Sequence, residues 1–193
     1  MNILNELQLL SEAKEKNLIG LTINNKLITE KTLSEPWPGD FDCFNNQLTS
    51  LEGAPSSVGG FFSCSNNQLT SIEGSPVSVG GNFWCSNNQL TSLEGSPASV
   101  GGNFWCSSNK LTSLTGIHTI IKQMDGTFYA DDNPIKSNVI GLLLVKGCKE
   151  VILDNKQVDE IMNRHLQSPF GNKRVIECQS EMLDADLDDW AEL

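Results

Sequence analysis

The chain has 193 residues, 38% of them hydrophobic, with 16 glycines and a net charge of −11. That length suits one domain or one core with terminal caps, and the longest apolar run, Val139–Val145, is too short to cross a membrane. With no basic, apolar leader at the N-terminus, the six cysteines are expected to be reduced thiols in a cytoplasmic protein.

Residues 1–38 read as an N-terminal helix and cap. Ile3, Leu4, Leu7 and Leu10 share one helical face, which predicts an amphipathic helix over 2–16. The stretch NLIGLTINNKLI follows as a strand or hairpin that leads into the next segment and covers the start of its core.

Residues 39–136 repeat with a period of 21. The units run GDFDCFNNQLTSLEGAPSSV, GFFSCSNNQLTSIEGSPVSV, GNFWCSNNQLTSLEGSPASV and GNFWCSSNKLTSLTG, and GTFYADDNPI restores the pattern after a three-residue insertion. One unit is too small to bury its own apolar side chains, so units must stack into a solenoid. Phe41, Phe62, Phe83, Phe104 and Phe128 form one column, and Cys43, Cys64, Cys85, Cys106 and Ala130 a second. Their spacing of two predicts a short strand with both columns turned inward. Asn46, Asn67, Asn88, Asn109 and Asn133 follow, suited to pairing backbone groups of adjacent turns. Leu48, Leu69, Leu90, Leu111 and Ile135 turn inward, as do Leu51, Ile72, Leu93 and Leu114. Gly53, Gly74, Gly95 and Gly116 permit a bend, and Pro55, Pro76 and Pro97 keep the return side extended.

The same alternation turns one column outward: Asp42, Ser63, Trp84, Trp105 and Tyr129. Parallel strands lie about 4.8 Å apart, so Trp84 and Trp105 are expected to stack, with Tyr129 close by. Asn82, Asn103 and Thr127 flank them on one side, and Ser86, Ser107 and Asp131 on the other. Exposed aromatics ringed by small polar groups have the composition of an interface hot spot. The alternatives are that the C-terminal segment folds over them, or that duplication copied a tryptophan without consequence.

Residues 137–193 read as a helical C-terminal cap. Ser137 is placed to cap a short helix through Val145, ended by Gly147, and EVILD to add a last strand. Val158, Ile161, Met162, His165 and Leu166 predict a helix over 155–167, which Ser168-Pro169 breaks. A final helical stretch from about Lys173 carries Val175, Ile176, Met182 and Leu183, then Leu187, Trp190 and Leu193.

Several chemistries are excluded. Residues 35–134 hold nine acidic residues against Lys110 and Lys122, too few cations to meet phosphates, so nucleic acid is not an expected partner. The repeated cysteines have no histidine and no short ligand pair beside them, which argues against zinc. Asp184, Asp186, Asp188, Asp189 and Glu192 lack the spacing of a calcium loop. His118 and His165 belong to no catalytic constellation, and inward cysteines are poor nucleophiles. The expectation is no enzyme, no cofactor and no metal.

The pattern F-x-C-x-x-N-x-L-x-x-L resembles the L-x-L-x-x-N-x-L core of leucine-rich repeats, and LTSLEGSPASV resembles the short bacterial type. The resemblance implies an α/β repeat fold: a solenoid of short parallel strands, an extended convex side and helical caps at both ends. The whole layout, from LLSEAKEK to CQSEMLDADLDDWAEL, is also similar to a family of T4-like bacteriophage proteins, which implies an origin and no activity. Leu10-Ser11-Glu12 before Ala13 is similar to the sites that head-maturation proteases of such phages cut.

These readings lead to a protein-binding module. Trp84, Trp105 and Tyr129 are the expected anchors, with Asp42, Asp131 and Asp132 selecting a basic rim and Ser63, Asn82 and Asn103 beside them. The expected partner is a host protein, such as a component of antiviral defence, blocked sterically in the bacterial cytoplasm. The alternative is a packaged or structural virion protein with the repeats as scaffold. Nucleotide capture by stacking on the tryptophans is a third reading, and self-association stays open.

Overall fold

A computed structural model describes residues 18–23, 26–28 and 35–192. The helix expected over 2–16 and the Leu10-Ser11-Glu12 motif lie outside them. The first described elements are β1 (Thr22–Ile23) and β2 (Lys26–Leu27), an antiparallel hairpin as expected. Leu18 and Ile28 flank it and are fully buried, and the Leu18 amide donates to the Glu52 carbonyl at 3.0 Å.

The repeats form a parallel-strand solenoid of about five turns. Each of the first turns carries two dipeptide strands. On one side lie β3 (Phe41–Asp42), β5 (Phe62–Ser63), β7 (Phe83–Trp84) and β9 (Phe104–Trp105), with the phenylalanines in register. On the return side lie β4 (Ser57–Val58), β6 (Ser78–Val79) and β8 (Ser99–Val100). The longer β10 (Gln123–Tyr129) joins the two runs, pairing β8 through Gln123 and Met124 and β9 through Phe128 and Tyr129. The parallel β11 (Lys146–Ile152) pairs with β10. The three-residue insertion is absorbed by a single-turn helix, α1 (Ile117–Ile120), entered from Gly116 at φ 69°.

The core is the stack that the columns require. Phe41, Phe62, Phe83, Phe104 and Phe128 are fully buried, and successive ring centroids lie 5.3, 5.7, 4.9 and 5.2 Å apart. The four repeated cysteines are buried beside them, and Cys43 Sγ donates to the Ser63 carbonyl at 3.0 Å. Trp37 closes the N-terminal end of the stack edge-on to Phe41, 5.1 Å between centroids, with Nε1 donating to the Asp40 carbonyl.

The asparagines work as expected. Asn88 Oδ1 accepts from the Leu69 amide of the turn before, while Nδ2 donates to the carbonyls of Cys64 and Cys85. Asn67, Asn109 and Asn133 repeat the arrangement. Asn46 has no repeat before it, and among the described residues its carboxamide reaches only the Phe44 carbonyl.

Along the phenylalanine strands every second amide points toward the C-terminal turn: Phe41 N to Phe61 O, Cys64 N to Trp84 O, Ala130 N to Ile152 O. The last strand would therefore leave amides open at its edge. Helix α2 (Lys156–Leu166) supplies the acceptors, Asn163 Oδ1 to Val151 N at 2.7 Å and Asp159 Oδ1 to Leu153 N at 2.9 Å. Asn155 caps α2 by accepting from the Val158 amide, and Val158, Ile161, Met162 and Leu166 are buried. Helix α2 thus lies where a further turn would, as a lid on the solenoid end.

One detail of the C-terminal segment differs from expectation. Ser137 caps no helix; it forms a parallel bridge with Ser113, and a 3-10 helix runs over Ile140–Leu144 from Val139 with no side-chain cap. Helix α3 (Asn172–Asp184) buries Arg174, Cys178 and Met182, while Ile176 and Leu183 face solvent. The apolar residues of α3 do not define one stripe, and the stripe chosen by packing includes an arginine. Among the described residues no helix is long and apolar enough to cross a membrane.

Candidate functional site

The outward column forms a continuous aromatic ladder. Trp105 and Tyr129 are stacked, with ring centroids 4.9 Å apart and planes 4° from parallel. Trp84 and Trp105 are 5.6 Å apart but tilted by 58°, so the expected stack of the two tryptophans is replaced by an inclined contact. Phe61 extends the ladder one rung, 4.8 Å from Trp84. The sequence reading missed Phe61, although the alternation that turns Trp84 outward turns Phe61 outward too, two residues before Ser63. All four rings are half-buried.

Ring faces inside the ladder are occupied by neighbouring rings, so the ladder presents edges. At centroid distances of 4.8 to 5.6 Å no planar group fits between rungs, which removes base stacking between the tryptophans. Neither indole N–H has an acceptor among the described residues, and neither is sealed from solvent.

The other expected site residues divide in two. Asn82 and Asn103 face the ladder's flank, but Asn82 Oδ1 accepts from the Asn103 amide and Asn103 Oδ1 from the Thr127 amide, at 2.9 and 2.8 Å. Ser63 is only 4% exposed. The carboxylates stand at the two ends of the column: Asp131 and Asp132 form an acidic margin just past Tyr129, and Asp42 lies at the N-terminal end, in register with Ser63. Asp42 is exposed and accepts from the Phe44 amide, and Asp131 accepts from the Ser107 hydroxyl at 2.5 Å. Asp132 is exposed and donates its amide to Asp154. Asp154 and Asp159 thicken this acidic margin, and burial first, then Asp154 and Asp131, push the Asp159 carboxyl up to about 6.

The thiols are insulated. Burial raises Cys43, Cys64, Cys85 and Cys106 well above the ordinary thiol value, and Cys148 and Cys178 up to about 12. His165 Nε2 lies 2.9 Å from Glu181 Oε2, in a pair that ties α2 to α3. His118 Nδ1 is buried and without a partner, against Gly141.

Comparison with known protein families, curated proteins and solved structures finds no significant match in any of the three. The class that fold and site define is a parallel-strand solenoid, lidded by helices at its C-terminal end, with an aromatic ladder along one strand face.

Proposed function

We propose that the chain is a non-enzymatic protein-binding module that engages its partner through the aromatic ladder. One observation carries this reading: four half-buried aromatic rings in contact along one face, with two indole N–H groups that find no acceptor among the described residues and are not sealed from solvent. Aromatic edges carry partial positive charge and indoles donate hydrogen bonds. They suit the carbonyls and ring faces of another protein. Asp131 and Asp132 form an acidic margin beside Tyr129 and Asp42 stands at the far end of the column, so the partner's rim is basic and wrong partners are repelled. Helix α2 lids the last strand instead of crossing the ladder, which leaves the face open in that direction.

Membership of the leucine-rich-repeat family and a bacteriophage origin belong to the same reading, supported by the repeat pattern and the layout of the termini. The partner is then a host protein in the bacterial cytoplasm, a component of antiviral defence among the candidates, and the mechanism is steric occupation.

The test is affinity purification from infected bacteria with the wild type and Trp84→Ala/Trp105→Ala, followed by a dissociation constant for the purified partner. Central aromatic anchors are worth about 2 kcal/mol each, so the double variant is expected to bind at least about a hundredfold more weakly. Recovery of the same partner at unchanged affinity defeats the proposal.

A further inference from the structure

The start of β11 and the connection from α2 to α3 border an open cavity of about 380 Å³. Lys146, Lys149, Arg174 and Ser168 line it, and no aspartate or glutamate does. That is unusual in a chain with 24 acidic residues and 13 basic ones.

Arg174 is the central feature. It is 4% exposed, and a guanidinium so covered is ordinarily matched by a carboxylate. Here Nε donates to the Leu143 carbonyl at 2.8 Å, one terminal nitrogen donates to the same oxygen, and the other reaches the Leu166 carbonyl at 3.5 Å. Each terminal nitrogen keeps one hydrogen without an acceptor among the described residues. The Phe170 ring lies 4.8 Å from the guanidinium carbon and is itself 59% exposed. The Lys146 ammonium has no ion-pair partner among the described residues, whereas Lys149 pairs with Asp125 at 2.7 Å near the surface. The first turn of α3 adds neither a capping side chain nor an acidic residue.

A buried guanidinium without a carboxylate partner, a lysine without an ion pair and a lining free of acids call for an anion. Arg offers the forked donor pair that oxyanions accept, and the lysines supply point charges. Two cations without a carboxylate partner suit a dianion better than a single carboxylate. We propose that this cavity binds a phosphate group, held by Arg174 and neutralised by Lys146, with the Asp125-paired Lys149 at its edge. The phosphate is either free or carried on a small organic body that packs against Phe170.

Calorimetry on the full chain at fixed ionic strength tests this, with inorganic phosphate, phenyl phosphate and citrate as probes. Saturable binding of inorganic phosphate alone identifies a free anion, and tighter binding of phenyl phosphate identifies a carried one; either supports the site. Arg174 also holds the fold together, so the informative variant is Lys146→Glu, an exposed position. It is expected to weaken phosphate binding at least about tenfold. Lys136→Glu, with the same charge change elsewhere, is expected to stay within about twofold. Absence of saturable binding overturns the proposal, as does citrate binding as tightly as phosphate. Equal losses in the two lysine variants also overturn it, since they mean unspecific attraction.

Discussion

Replacing Asn109 by alanine isolates what one rung of the asparagine ladder contributes. Its Oδ1 accepts from the buried Leu90 amide at 3.0 Å, and its Nδ2 donates to the carbonyls of Cys85, Cys106 and Ser107 at 3.1, 2.9 and 3.3 Å. After truncation Cys85 O keeps Asn88, Cys106 O keeps Asn133 and Ser107 O keeps the Asn87 amide. The Leu90 N–H is left with nothing, beside a fully buried side chain. An orphaned buried donor costs about 1–3 kcal/mol, and the lost bonds about 1 kcal/mol more. The expected loss is about 3 kcal/mol, or about 6–12 °C in melting temperature for a chain of this size. Asn46 occupies the same place in the first repeat but bonds only Phe44 O, so Asn46→Ala is expected to stay within about 0.5 kcal/mol. Urea titrations of both variants, followed by circular dichroism, read the contrast. Equal losses in the two refute the idea that asparagine stabilises by joining one turn to the previous one.

The double-glycine turns allow a similar comparison. A Cβ on Gly101 would lie 2.1 Å from the Gly80 carbonyl oxygen, whereas one on Gly39 meets nothing within 4 Å. Gly101→Ala is expected to cost about 2–3 kcal/mol and Gly39→Ala to be neutral or slightly stabilising in the same titration. Asp159 gives a pH dependence. Its folded-state value, about 6, lies above the ordinary 3.8, so the folded chain holds this proton more tightly than the unfolded one. Its contribution is complete below about 3.8 and is lost as pH rises through about 6. Two units correspond to roughly 3 kcal/mol, and partial exposure brings the figure to about 1–2 kcal/mol. Asp159→Asn keeps an oxygen for the Leu153 amide and removes the charge. It is expected to exceed the wild type in stability at pH 7 and to lose that advantage by pH 4; an advantage that persists at pH 4 contradicts the assignment.

The repeats were legible because one register constraint acts on every turn. With a period of 21, each inward position is sampled four or five times, and a residue misread in one unit is corrected by the others. That is why Phe, Cys, Asn and Leu all fall where the alternation puts them. The ends are read only once, and there the reading slips. In α3 the apolar residues Ile176 and Leu183 mark a face that packing leaves in solvent, while Arg174 and Cys178 go inside. Ser137 looks like a helix cap but pairs with Ser113, a residue 24 positions earlier that only the solenoid brings near. The cavity around Arg174 joins residues from β11 and α3, and no local pattern announces it.

The ladder lies between these two cases. Its direction follows from alternation alone, since residues two apart from a buried position's neighbour must share the outer face. Its ring geometry does not, because strand spacing fixes only the distance between Cα atoms and leaves each χ angle to the neighbours. Trp84 has phenylalanine on one side and tryptophan on the other, and tilts; Trp105 has Tyr129, and stacks. The difference bears on function. A face of flat, separated rings would accept bases or sugars, whereas rings packed against each other close their faces and offer edges and indole N–H groups. What separates a nucleotide-stacking site from a surface of edges and N–H groups is thus the few ångströms between rungs, set by aromatic residues on the adjacent strands β7, β9 and β10 and by how their rings pack.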